Sequence, residues 1–250
     1  MRRLFIHHHI GLGDHFDCNA LVRYVYHQRK NLDEKGFDLI HVFSKDNHFS
    51  IIEYMYRDNE DIIVEKIDKS LDEYIEVQRV IDTYSTENMD HGLLTIGHQF
   101  YLGAHGRDVQ ENKNCWEYFY DQMNVPYSLR HEGFYVLRDE KEENRVFKKL
   151  NPDGEPFVFV HDAPDRGYSL DRKHITNKSL HIVENDLEEN PLHFLKIIEE
   201  ASEIHCIESS FKTLIEFFEN TDSLNYHDIR NHTLGEHTKK KWKTIKYDNN

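Results

Sequence analysis

The chain has 250 residues and a net charge of -15, with 38% hydrophobic and 31% charged residues. That composition is too apolar for a disordered chain, and the length admits one large or two small domains. The acidic balance excludes a broad nucleic-acid footprint, which needs clustered Lys and Arg, and no run reaches the roughly 18–20 apolar residues that cross a bilayer.

Met1-Arg2-Arg3 is followed by only three apolar residues before His7-His8-His9, so no secretory apolar region is expected. A first strand begins at Leu4-Phe5-Ile6 and continues toward His9-Ile10, ending in Gly11-Leu12-Gly13-Asp14-His15. A helix over 14–30 follows, with Cys18, Leu21, Val22 and Val25 at helical spacing. A strand over 37–43, a helix over 49–56 capped by Asn47, a strand over 61–67 and a helix over 70–84 come next, the last begun by Ser70 with Glu73 three residues on. Leu93-Leu94-Thr95-Ile96-Gly97 reads as a fourth strand. Short apolar runs alternating with helices are the signature of a parallel sheet.

The stretch 98–138 is irregular and rich in glycine and aromatics, with a helix over 114–123 carrying Trp116, Phe119 and Tyr120 on one face. A charged helix over 139–150 leads to Asn151-Pro152-Asp153-Gly154, a turn cluster. The rhythm then restarts. Phe157-Val158-Phe159-Val160 is apolar throughout, as in a strand buried on both faces. A strand over 180–183, a helix over 191–202 with proline at its start, a strand over 203–207, a helix over 209–219 capped by Ser209 or Ser210, and a strand over 224–229 complete it. Lys239-Lys240-Lys241-Trp242-Lys243 reads as a solvated basic tail.

The fold class expected is therefore α/β, as two Rossmann-like lobes with a cleft between them: an N-terminal lobe over 1–138, a C-terminal lobe over 151–235, a linking helix over 139–150 and a tail over 236–250. Cys18, Cys115 and Cys206 are scattered and form no CxxC pair, which fits a reducing, cytoplasmic setting. Of nineteen histidines, none falls into an HExxH-like group, and His7-His8-His9 must alternate faces along a strand, so no metal site is read.

Three strand ends carry candidate chemistry. Gly11 and Gly13 bring backbone N–H groups to the sheet's carboxyl edge; position 16 is Phe, so the dinucleotide fingerprint is incomplete. Asp14 there is either a helix cap or a base for a hydroxyl nucleophile, with His15 as the alternative. In the loop His161-Asp162-Ala163-Pro164-Asp165-Arg166-Gly167, Arg166 either grips a diphosphate or pairs with Asp162 or Asp165. In Ile204-His205-Cys206-Ile207-Glu208-Ser209-Ser210-Phe211, two serines and free helix N–H groups make a phosphate cradle, and Glu208, like Glu184 after its own strand, can hold a sugar hydroxyl.

These elements in this order resemble glycosyltransferases of the GT-B fold, above all small metal-independent ones related to fucosyltransferases and lipopolysaccharide heptosyltransferases. The stretch 204–211 is the most specific match; the His-x-Arg-Arg-Gly-Asp stretch of peptide fucosyltransferases is missing. The resemblance implies inverting transfer from a nucleotide-diphosphate sugar, GDP- or UDP-linked, to a glycan hydroxyl, with no cofactor and no metal. It implies Asp14 as the base and Arg166, Ser209 and Ser210 near the donor phosphates. The rivals are an NDP-sugar epimerase-like enzyme of the same fold, a SAM-dependent methyltransferase with Asp46 closing the second strand, and a carbohydrate-binding module using Tyr101, Trp116, Tyr118, Phe119 and Tyr120.

Overall fold

The computed structural model describes residues 1–85, 90–97, 115–229 and 238–247. Tyr101 and Asn114 lie outside them. The chain divides into two units, Met1–Leu137 and Arg138–Asn250.

The first unit is built on a four-stranded parallel sheet: β1 (Arg3–His7), β2 (Leu39–Lys45), β3 (Ile62–Ile67) and β4 (His91–Thr95), in the order β3-β2-β1-β4. The central strand carries Leu4, Phe5 and Ile6 buried on both faces, as a run without alternation requires. Phe5 packs with Ile10, Phe43, Ile67, Val77, Val80 and Ile81 on one side. The connecting helices are α1 (Leu12–Gln28), α2 (Phe49–Tyr56) and α3 (Glu73–Tyr84). Helix α3 starts three residues later than the Ser70 reading, because Asp72 accepts from the N–H groups of Tyr74 and Ile75 while Ser70 bonds Asp68. At α2 the residue in the cap position is His48, not Asn47, and its side chain makes no capping bond.

Helix α1 is buried almost all round from His15 to Val25. Two short helices, α4 (Cys115–Gln122) and α5 (Leu129–Glu132), cover its polar positions. Arg130 Nε donates to the buried Asp17 at 2.6 Å, Asn19 accepts from the Tyr135 N–H at 2.9 Å, and Arg23 grips Asp58 at 2.8 and 2.9 Å. Breaking one partner out of such a buried ion pair costs about 3–5 kcal/mol, because a desolvated charge is left behind.

The second unit is a five-stranded parallel sheet of β5 (Phe157–His161), β6 (His181–Glu184), β7 (Glu203–Ile207), β8 (Leu224–Asp228) and β9 (Lys243–Lys246), in the order β6-β5-β7-β8-β9. The charged helix, α6 (Glu140–Leu150), belongs to this unit rather than linking two lobes. It buries Val146 and Phe147 and is tied down by Arg145 to Glu189 and by Lys149 to Asp186 and Glu189. The helix expected over 191–202 divides into a 3-10 turn, Pro191–Phe194, and α7 (Leu195–Glu200). Ser209 caps α8 (Ser210–Phe217).

The tail is not simply solvated. Lys243–Lys246 adds the edge strand β9, and the buried Glu216 collects the N–H groups of Lys239 and Lys240 together with the Trp242 indole.

Each sheet has one topological switch point, where strand order reverses: β1/β4 in the first unit and β5/β7 in the second. In open parallel sheets ligands bind outside the carboxyl ends of the strands at that point.

Candidate functional site

In the first unit the chain leaving β1 enters α1 directly. Gly11 is the cap residue, with extended backbone (φ -69, ψ 150), and the helix starts at Leu12. Gly13, Asp14 and His15 thus lie in the first helical turn, not in a preceding loop. Neither glycine needs positive φ. Space is what a side chain at Gly11 would contest: a Cβ there would stand 2.6 Å from Asp14 Oδ2, so the carboxylate would have to shift.

The Asp14 carboxyl is half-buried and accepts from the Trp116 indole at 3.1 Å. Burial pushes its pKa above the ordinary carboxylate value; the Trp116 bond, the nearby His9, the Gly11 N–H and Lys45 pull the other way without cancelling it. An acid that retains a proton to higher pH is a better base once ionised near neutrality. An acidic group in the first turn of a helix is also stabilised by the positive end of the dipole.

His15 is different. It is fully buried, edge-on to His8 at 4.8 Å, and neither ring nitrogen has a hydrogen-bond partner. Burial holds its pKa well below the ordinary value, so the ring is neutral. It lies too deep to meet an acceptor hydroxyl, and the half-buried Asp14 is the more accessible member of the expected pair. The neighbouring histidines go separate ways: His7 to Glu73 at 3.0 Å, His8 to the His9 carbonyl at 2.5 Å, and His9 onto the Phe119 ring at 5.5 Å. Among the described residues no group of three or more His, Cys, Asp or Glu is arranged to hold a metal. Asp46, the methyltransferase candidate, is spent on the Asn47 N–H of its own loop.

In the second unit His161 ends β5, buried and stacked on Phe211 of α8 at 4.3 Å. Burial lowers its pKa to about 4, against a hydrogen bond to Asn185 that raises it. After it come a 3-10 turn, Pro164–Arg166, and Gly167 in the left-handed region at φ 80. Arg166 is exposed, 5.9 Å from the Tyr168 ring, and makes no ion pair among the described residues. The pairing with Asp162 or Asp165 is therefore absent. Asp162 is satisfied by Arg172 at 3.3 Å and by the Leu170 N–H at 3.0 Å.

Across the switch point, β7 runs into Glu208, Ser209 and Ser210. Ser209 is the cap, accepting from the Lys212 N–H at 3.4 Å. Ser210 occupies the first turn with free N–H groups beside it. Glu208 pairs with Lys212 at 3.3 Å and Glu184 with Arg172 at 2.7 Å, so neither carboxylate is idle. The burial of Lys212, with its ammonium 5.1 Å from Tyr226 and 5.9 Å from Trp242, is supported by that pair.

Arg172 and Lys212 are candidate-site residues that sequence reasoning missed, and it read Trp116 only as an aromatic that could stack on a sugar. A largely buried chain of hydrogen bonds ends on the backbone N–H of Asp171, the residue before Arg172. Glu203 accepts from His205 at 2.6 Å, His205 meets His227 at 2.7 Å, and His227 meets the Tyr247 hydroxyl at 2.7 Å. Tyr247 in turn accepts from the Asp171 N–H at 3.0 Å. Burial keeps both histidines below their ordinary pKa, His227 at about 3. With both rings neutral, each ring's single N–H points toward Glu203, and Tyr247 donates to His227.

The structure therefore brings Gly11, Gly13 and Asp14 to one switch point and His161, Arg166, Glu208, Ser209 and Ser210 to the other, with Glu184 at the next strand end. No family model matches the chain, and no curated protein matches it in sequence. Among solved structures it is similar to a glycosyl transferase family 9 protein from Veillonella parvula, at 6% identity over 98% of this chain and 86% of that one, with a TM-score of 0.59. It is also similar to the E. coli ADP-heptose lps heptosyltransferase II, at 10% identity over 98% of this chain and 90% of that one, with a TM-score of 0.54. At such identities the likeness is one of fold: an α/β chain with two parallel sheets, as in those two glycosyltransferase structures.

Proposed function

We propose that this protein is a glycosyltransferase that moves a sugar from a nucleotide-diphosphate sugar to a glycan hydroxyl, inverting the anomeric centre and using no divalent ion. The observation that supports it is the contrast between the two switch points: one carries a half-buried carboxyl with a raised pKa, the other an arginine without an acid beside a serine-capped helix start. Asp14 takes the proton of the acceptor hydroxyl as its oxygen attacks the anomeric carbon. The bond from that carbon to the diphosphate oxygen breaks, and the nucleoside diphosphate leaves with the electron pair. Arg166, Ser210 and the first N–H groups of α8 receive the growing negative charge, and donors fixed before reaction are usually the largest catalytic term.

The described residues contain no helix long and apolar enough to cross a membrane. The buried thiols of Cys18 and Cys206, which form no disulfide, suit a reducing compartment, and we place the reaction in the cytoplasm.

The test is thermal unfolding in the presence of GDP-, UDP-, CDP- and ADP-sugars, adenine being included because the E. coli neighbour is named for ADP-heptose. One nucleotide series should raise Tm progressively with concentration, and turnover should saturate with a second, glycan substrate. A shift with S-adenosylmethionine alone, or turnover of the nucleotide sugar without any acceptor, would overturn the reading.

A further inference from the structure

Asp14 and Trp116 are 102 positions apart in the chain, yet the indole Nε1 donates to Oδ1 at 3.1 Å. The helix that brings the indole there is clamped at several points. Phe119 of α4 lies parallel to the His9 ring, 5.5 Å away and 6° from coplanar. It also fills the space beside Gly97, where a Cβ would come within 2.2 Å of the ring and where φ is +81. Gln122 accepts from the Gly97 N–H at 3.0 Å and donates to the Thr95 carbonyl at 2.7 Å. The Tyr120 hydroxyl donates to the Asp17 carbonyl at 2.8 Å. Helix α4 is thus fastened to the carboxyl ends of β1 and β4 and to α1 at once, and the indole is placed by a rigid support.

The two oxygens of Asp14 then have different surroundings. Oδ1 is taken by the indole, while Oδ2 lies against Gly11, 2.6 Å from where a Cβ on that residue would stand. We propose that Trp116 is a positioning residue: its N–H locks the Asp14 rotamer and engages one oxygen, so that the other is the one left to accept the proton. The proposal rests on the reading of Asp14 as the base, but the contact can be tested without any substrate. A neutral donor suits this task. It orients the carboxylate and favours its ionised form without the charge that would quench its basicity. The charged and titratable groups facing Asp14 are His9 from the end of β1 and Lys45 from the end of β2, with Glu73 and His7 acting on His9 in turn.

The experiment is NMR on the full chain. The sequence holds only two tryptophans, so the Trp116 and Trp242 indole N–H resonances are readily distinguished. The Trp116 resonance should move with the ionisation of Asp14 and lose that step in Asp14→Asn. In Trp116→Phe, which keeps an aromatic ring but not the donor, the Asp14 carboxyl should titrate roughly 0.5–1 pH unit higher. The acidic limb of kcat/KM should rise by the same amount, with kcat lowered about tenfold and KM nearly unchanged. An indole resonance blind to Asp14, or an unmoved titration in a folded Trp116→Phe protein, overturns the positioning contact alone. A titration that moves while the pH–rate profile stays put retires Asp14 as base, and with it the role of Trp116 in transfer.

Discussion

The two switch points have opposite charge economies. At the end of β1, Asp14 shares its surroundings with a neutral indole, a backbone N–H and the partly buried His9, and burial raises its pKa. At the ends of β5, β6 and β7 the acids Asp162 and Glu184 share Arg172, and Glu208 has Lys212. The cation without an ion pair there, among the described residues, is Arg166, next to the exposed Asp165. In the proposed reading, two sheets of the same construction prepare opposite tasks, taking up a proton and taking up negative charge. The fold makes the two places alike; the ion pairs around them make them different.

The strongest way to break that contrast is to exchange the expected losses. Asp14→Asn removes the base while keeping shape and should lower turnover by about 10²–10⁴-fold, with the nucleotide Kd within about twofold of the original. Arg166→Ala should do the reverse, weakening nucleotide binding by about tenfold, the worth of one charge-assisted bond, and leaving more of the turnover at saturation. Isothermal titration and steady-state kinetics on both variants read the two effects separately. If Asp14→Asn weakened the nucleotide and Arg166→Ala did not, the assignments would have to be swapped.

A smaller effect separates two glycines. Gly11→Ala puts a methyl group 2.6 Å from Asp14 Oδ2 and must turn the carboxylate, so the expected loss is in turnover, about tenfold, with thermal stability little changed. Gly167→Ala meets nothing within 4 Å but stands at φ +80, which costs an alanine about 1–2 kcal/mol. Its expected signature is a lowered Tm with binding through Arg166 affected only secondarily.

Much of this frame was legible from local pattern. Phe157–His161 and Glu203–Ile207 are strands because unbroken apolar runs are stable only with both faces covered, and Phe49–Tyr56 follows a plain helical period. Asp14, Arg166, Ser209 and Ser210 could be singled out as candidates because ligands bind at the strand ends of such sheets. What was hidden depends on distant partners. The capping competition that Asp72 wins over Ser70 is decided by backbone geometry. Strand β9 buries only Ile245 in a lysine-rich stretch and is anchored by Glu216, some 23 residues upstream. The Trp116 bond to Asp14 and the Arg172 bonds to Asp162 and Glu184 have no short-range signature, and Asp17, Asn19 and Arg23 look solvent-facing until α5 is in place.

The smallest effect concerns His161, which the sequence marks only as a polar group beside the donor loop and the structure shows as a buried ring on Phe211. Its folded pKa of about 4 lies below the ordinary 6.5. Between those values the unfolded chain binds a proton that the folded one refuses, so its contribution lowers stability as pH falls from about 6.5 to about 4, and has no pH dependence above that window. The full slope for one such group is about 1.4 kcal/mol per pH unit. His161→Gln cannot take the proton, and it should lose stability at pH 7 through the missing ring stack, yet decline less steeply toward pH 5. Urea titrations at both pH values measure the difference, which should favour the variant by about 1–2 kcal/mol at the lower pH relative to pH 7. Equal slopes for the two proteins would mean that the imidazole is reachable by protons in the folded state. His161 would then stand with Arg166 as an accessible cation at the second switch point, and the contrast with Asp14 would rest on two groups instead of one.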